Sequence, residues 1–210
     1  MEQHLRAEVM SAIETECVNI GFKKRASIYF TSEFTPDTIG LLAFVFGKDG
    51  DMLVSPSVAV RYQPLERVLA ELTGEKFHPY LSGTLACPLC HVPPRDELLW
   101  FEFPERVDAP HRVREMVSII AETAVPWMER HQDLDSFIKD LQIYRFANRD
   151  QVRLRLPVAY YLMNEDELAR SLVMKGLEEI GDDSDPLSTQ YRKFAKALLA
   201  RLLTGPPACS

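Results

Sequence analysis

Two hydrophobic rhythms divide this chain, and no single-class fold accommodates both. Between residues 25 and 62 apolar side chains alternate or run continuously, as in strands. From about Ala109 onward every candidate element has the 3.6-residue period of a helix. The expected fold is therefore α+β, with an N-terminal helix, an antiparallel meander of about four strands and an all-helical C-terminal half. The expected division places the sheet portion at 1–108 and the helical portion, packed on it, at 109–210, as two domains or one continuous one.

Leu5, Val9, Ile13 and Cys17 recur every four residues, with Met10 and Ile20 beside them, and predict a helix over 2–20 closed by Gly21. Strands are expected at 25–31, through Ala26, Ile28 and Phe30, at 38–47 and at 51–62, where Pro56 suggests an edge or a bulge. Gly47-Lys48-Asp49-Gly50 between the last two is a hairpin signal. Pro64 opens a short helix, 64–73, that Gly74 ends. Four prolines make 75–96 a loop with room for one short strand, and Glu97 to Phe103 is a further strand candidate. Helices follow at 109–131, 133–146, 149–163, 164–180 and 187–203, with Pro126 and Pro157 expected to kink or restart them. No fixed period repeats, which argues against a solenoid.

Charge narrows the choice of partner. The chain has a net charge of −7 and no basic cluster beyond Lys23-Lys24-Arg25 and a scatter at Arg192, Lys193, Lys196 and Arg201. Nucleic-acid binding needs a basic face that replaces phosphate counterions, so it is disfavoured, whereas a basic protein partner is compatible with the charge. Charged residues interrupt the N-terminal stretch, and the best apolar run, Ile39 to Phe46, is strand-sized. Neither an export signal nor a membrane span is expected, and the expected location is the cytoplasm. The four cysteines are then expected as free thiols.

Motifs of known chemistry are few. Cys87-Pro88-Leu89-Cys90-His91 has the form of a haem-attachment or half-zinc string. No second pair of ligands is spaced to complete a zinc site, and the surrounding prolines argue against a redox pair opening a helix. No metal or cofactor is expected. The five histidines read as surface or helix-end residues. No nucleophile elbow and no phosphate-binding glycine loop is present. Residues 164–186 hold eight acids against two bases, Arg170 and Lys175, a net −6 of the chain's −7. Asn164 is a candidate helix cap, and acids in a first turn suit the helix dipole. Glu178, Glu179, Asp182, Asp183 and Asp185 have no such reason, because they gather where a helix should end. They are the candidate partner-binding residues, with a solvated loop as the plainer alternative. Trp100, Phe101 and Phe103 read as core, and one of Tyr160 and Tyr161 as a boundary residue.

The order of helix, Gly21-Phe22-Lys23-Lys24-Arg25, antiparallel strands, Tyr62-Gln63-Pro64-Leu65-Glu66 helix, aromatic strand and further helices, over residues 1–145, resembles bacterial immunity proteins. These accompany polymorphic toxins and type VI secretion effectors. The resemblance implies a protein inhibitor, not an enzyme, that blocks the active site of a cognate toxin. It transfers no residue role by position and is compatible with a homodimer. Two other readings stand beside it. One is a small hydrolase or transferase whose Glu, Asp and His come from the sheet edge and the 75–96 loop. The other is an adaptor or chaperone with an apolar groove between helices 149–163 and 187–203.

Overall fold

The computed structural model describes residues 2–49, 51–93, 100–143 and 146–204. Helix α1 (Glu2–Asn19) precedes strands β1 (Lys23–Ala26), β2 (Tyr29–Glu33), β3 (Thr38–Asp49) and β4 (Asp51–Tyr62). Helix α2 (Gln63–Thr73), β5 (Leu85–Pro88) and β6 (Phe101–Phe103) follow, and then only helices. These are α3 (Ala109–Ile119), α4 (Val125–Glu129), α5 (Leu134–Gln142), α6 (Arg149–Leu162), α7 (Asp166–Ile180) and α8 (Pro186–Thr204). The α+β expectation holds, with an N-terminal helix, an antiparallel sheet and a helical C-terminal half.

The chain forms two compact units that interleave in sequence instead of dividing at residue 108. One comprises residues up to Arg61 with Tyr80–Gln132, and the other Tyr62–Pro79 with everything from Asp133 onward. Helix α2 thus joins the later helices, and α3 and α4 stay with the sheet. Apolar stripes that match in space, not in sequence, decide the grouping.

In the first unit the strands lie in the order β1-β2-β3-β4-β5, with β6 also paired to β4. Registers such as Phe30 with Leu42, Val60 with Leu85 and Val54 with Phe101 put apolar side chains on one face. Helices cover that face: Arg6 of α1 lies 4.9 Å from the Phe46 ring, and Val9, Ile13 and Cys17 are fully buried. The opposite face carries Ile39, Leu41 and Ala59, with Tyr80 packed on them and the Arg25 guanidinium 4.0 Å over the Tyr80 ring.

Four local expectations are corrected. The 25–31 segment is two strands, because Ala26 and Tyr29 pair across a two-residue turn at Ser27-Ile28 that has no glycine or asparagine to announce it. Only Phe30 of its apolar series is buried. Pro56 does not lie on an edge strand: β4 is central, and β6 pairs with 52–54 and β5 with 57–60, so the residue without an N–H falls in the gap between them. The helix expected at 109–131 widens into a π-helical turn at Ile120–Ala124 just before Pro126, where a regular register would clash with the proline ring. Pro157, by contrast, is buried within an unbroken α6. Gly74, at φ 72°, ends α2 as expected, since only glycine takes that conformation freely. The hairpin glycine at 50 and residues 97–99 of the expected fourth strand lie outside the described residues.

The second unit is held by a buried ion pair. Arg155 of α6 donates from Nε to Glu66 Oε1 at 2.7 Å, and both side chains are about 6–7% exposed. Around it Leu65, Phe137, Val158, Phe194 and Leu198 are fully buried. Removing one member of such a pair leaves a desolvated charge without compensation. Glu66→Ala is therefore expected to cost about 3–5 kcal/mol in urea unfolding. Replacing both partners by methionine and leucine should cost far less, and a near-neutral Glu66→Ala would contradict this account.

Candidate functional site

The five carboxylates singled out from the sequence all lie where α7 ends and α8 begins, and the structure gives them different tasks. Helix α6 starts with a capping box: Asn148 Oδ1 accepts from the Gln151 N–H at 2.8 Å, and Gln151 Oε1 accepts from the Asn148 N–H at 3.2 Å. It ends at a turn in which Asn164 adopts a left-handed φ of 59°. Asn164 thus closes α6 and does not cap α7; Glu165 holds that position without a side-chain bond. The short turn makes α6 and α7 an antiparallel hairpin, so the last turn of α7 lies beside the first turn of α6.

Charges stand at the ends of this hairpin where the helix dipoles disfavour them. Arg149 and Arg153 occupy the start of α6, a site that suits anions, and Glu179 occupies the end of α7, a site that suits cations. The antiparallel packing brings them together. Glu179 Oε2 accepts from Arg153 Nη2 at 3.0 Å and forms an ion pair with Arg149 Nη2 at 3.1 Å. Arg153 Nη1 also lies 3.7 Å from Asp150 Oδ1. Partial desolvation acts to raise the Glu179 pKa, but hydrogen bonds and charge from the two arginines outweigh it and hold the carboxyl below its usual range.

Asp185 is also occupied. Its Oδ1 accepts from the N–H groups of Leu187 at 2.7 Å and Ser188 at 3.2 Å, and so caps α8. Bonds from Ser188, first its side chain and then its backbone, hold the Asp185 carboxyl below the ordinary range. Arg192 donates to the Gly181 carbonyl at 2.7 Å, covering an unpaired acceptor at the end of α7. Glu178, Asp182 and Asp183 remain exposed, and their carboxylates make no hydrogen bond or ion pair to any described residue. Beside them Met174, one turn before Glu178, and Leu187, just after Asp185, are large apolar residues left 47% and 63% exposed.

Tyr191 locks the three helices together. Its hydroxyl donates to the Val173 carbonyl at 3.3 Å, Arg153 lies 5.6 Å from its ring, and burial pushes its pKa up to about 12. A Cβ on Gly176 would stand 2.1 Å from that hydroxyl oxygen, so α7 approaches α8 this closely only because glycine is there.

Two hollows open on this hairpin. The α6–α8 crevice, about 160 Å³, has Asp150, Arg153, Asp185, Ser188 and Gln190 in its wall against Leu154, Leu187 and Tyr191. The expected groove is thus present at this position, with charged and polar groups beside an apolar lining. The α6–α7 cavity, about 50 Å³, has Arg149, Arg153, Lys175 and Glu179 around Val152, Leu156, Pro157, Leu172 and Gly176. Nothing in the sequence alone marks these three basic residues as a site. Their signal was the four-residue spacing of Arg149 and Arg153, which becomes meaningful only once α7 is known to lie alongside.

The other sequence candidates are dispersed, and the Cys87–His91 string lies in the first unit. Cys87 is buried in β5 and Cys90 in the following 3₁₀ turn, whereas His91 is exposed. Neither cysteine, nor the buried Cys17, is in a disulfide, and Cys209 lies outside the described residues. Among the described residues no three His, Cys, Asp or Glu side chains gather as a ligand set. His131 is not a surface histidine: it is 4% exposed, with Nδ1 2.8 Å from the Trp127 carbonyl. No helix among the described residues is long and apolar enough to cross a membrane. Of the two tyrosines, Tyr161 is buried, and Tyr160 sits at the boundary with its hydroxyl accepting from Gln142 Nε2 at 2.8 Å.

No protein-family model, no curated protein and no solved structure matches this chain.

The Glu179 cluster predicts a pH dependence of known sign. Its pKa is lower folded than unfolded, so its stabilisation is complete above the ordinary carboxylate range and fades as pH falls through the folded value. Glu179 is part-exposed, so the effect should stay below about 1 kcal/mol. Glu179→Gln should lose that increment at pH 7 and match wild type near pH 2 in urea unfolding. An equal difference at both pH values would contradict the assignment.

Proposed function

We propose that this chain is a protein-binding inhibitor of the immunity type, which docks on a basic partner through the acidic turn between α7 and α8. One observation carries the reading. Glu178, Asp182 and Asp183 are exposed and unpaired among the described residues, at a helix end where the dipole makes negative charge unfavourable. Glu179 and Asp185, which share the same stretch, are explained by stability; these three are not. Their field would speed encounter with a cationic surface.

The neighbouring exposed Met174 and Leu187 add what a carboxylate patch lacks. Exposed carboxylates alone supply orientation and rate, whereas affinity comes mainly from a few desolvated anchors. An apolar centre with a charged rim is the usual anatomy of a specific interface. A partner that seats basic side chains against the carboxylates and buries Met174 and Leu187 would use both. A toxin whose catalytic cleft is basic is such a partner, and covering that cleft would inhibit it without any chemistry by this chain.

The test is capture of the partner from the native host, followed by expression of the captured protein with and without this chain. The expected outcome is a basic protein that is toxic alone and harmless when co-expressed. Reversing Glu178, Asp182 and Asp183 to lysine should slow association roughly tenfold at low salt and flatten its salt dependence. A partner with no toxicity, or association rates unchanged by the triple reversal, would overturn the reading.

A further inference from the structure

The cavity between α6 and α7 is built for negative charge, although it lies beside the most acidic stretch of the chain. Arg149, Arg153 and Lys175 border it against one carboxylate, Glu179. The positive end of the α6 dipole adds to the same field. Asp150 Oδ1 lies 3.7 Å from Arg153 Nη1, and Asp185 shares the neighbouring crevice with that arginine. Glu179 engages both arginines through one oxygen, Oε2, and leaves donors free. Arg149 is 67% exposed, with most of its five N–H donors unused, Arg153 Nε is buried and makes no hydrogen bond, and Lys175 has no ion pair among the described residues.

The size of the cavity is also informative. Its volume of about 50 Å³ is several times what one water needs, which suits an ion of about four oxygens. The apolar walls of Val152, Leu156 and Leu172 lower the local dielectric and strengthen charge interactions within it.

We infer that this cavity is a binding site for a small tetrahedral oxyanion of the phosphate class, in which Arg149, Arg153 and Lys175 are the ligands and Glu179 is a built-in competitor. The carboxylate occupies the arginine donors that an incoming phosphate would use. Phosphate carries more charge and more acceptor oxygens than a carboxylate, so it can engage Lys175 as well as the arginines. The site does not depend on the protein-partner reading, because Glu178, Asp182 and Asp183 take no part in it.

The test is titration of the full chain with inorganic phosphate at constant ionic strength, against chloride, followed by calorimetry and by the rise in melting temperature. Saturable binding of phosphate and not of chloride is expected. Lys175→Gln and Arg149→Gln, both at exposed positions, should each weaken it by roughly threefold or more, and Glu179→Gln should tighten it by roughly three- to tenfold. A non-saturating response, an equal response to chloride, or unchanged phosphate affinity in the Arg149→Gln/Lys175→Gln double variant would overturn the inference. Should Glu179→Gln unfold the protein, the two exposed variants still decide the question.

Discussion

The buried contact between Glu66 and Arg155 organises the helical unit. It joins residues 89 positions apart in sequence and seats α2 against α6. Its two charges are both desolvated, so any packing that separates them leaves each without compensation. With α6 held in one rotation, Arg149 and Arg153 project toward α7 and the hairpin acquires its charged end.

That end illustrates how tertiary packing reverses a local penalty. Cations at the start of α6 and a carboxylate at the end of α7 each oppose their own helix dipole. Side by side, each compensates the other. The consequence for function is a division among neighbouring acids. Glu179 balances arginines and Asp185 holds the start of α8, while Glu178, Asp182 and Asp183 contribute only field. The acidic stretch therefore presents fewer available charges than its composition suggests, and a basic cavity lies within a few residues of them.

Much of the architecture was legible because it rests on local rules. The four-residue recurrence of Leu5, Val9, Ile13 and Cys17 marks α1, and Pro64 and Gly74 bracket α2. The failures share one cause, which is that the deciding neighbour is distant in sequence. Pro56 reads as an edge signal, yet β5 and β6 happen to leave a gap opposite it. Asn164 reads as a cap for the helix that follows, yet it closes the helix before it. The acidic stretch stands out in the sequence, but nothing there connects Arg149 and Arg153 to it, because no pattern within α6 alone points to a carboxylate on α7.

The sequence by itself determined the class of fold, the order and approximate limits of its elements, and the place where negative charge accumulates. Periodicity, proline, glycine and capping residues act over a few positions and need no partner to be read. Only the tertiary structure decided that α2 belongs with the later helices, that two of the five acids are consumed internally, and that three cations border one cavity. Those outcomes depend on which helix faces meet, and contact between residues far apart in the chain is fixed by packing and charge compensation that no local window contains.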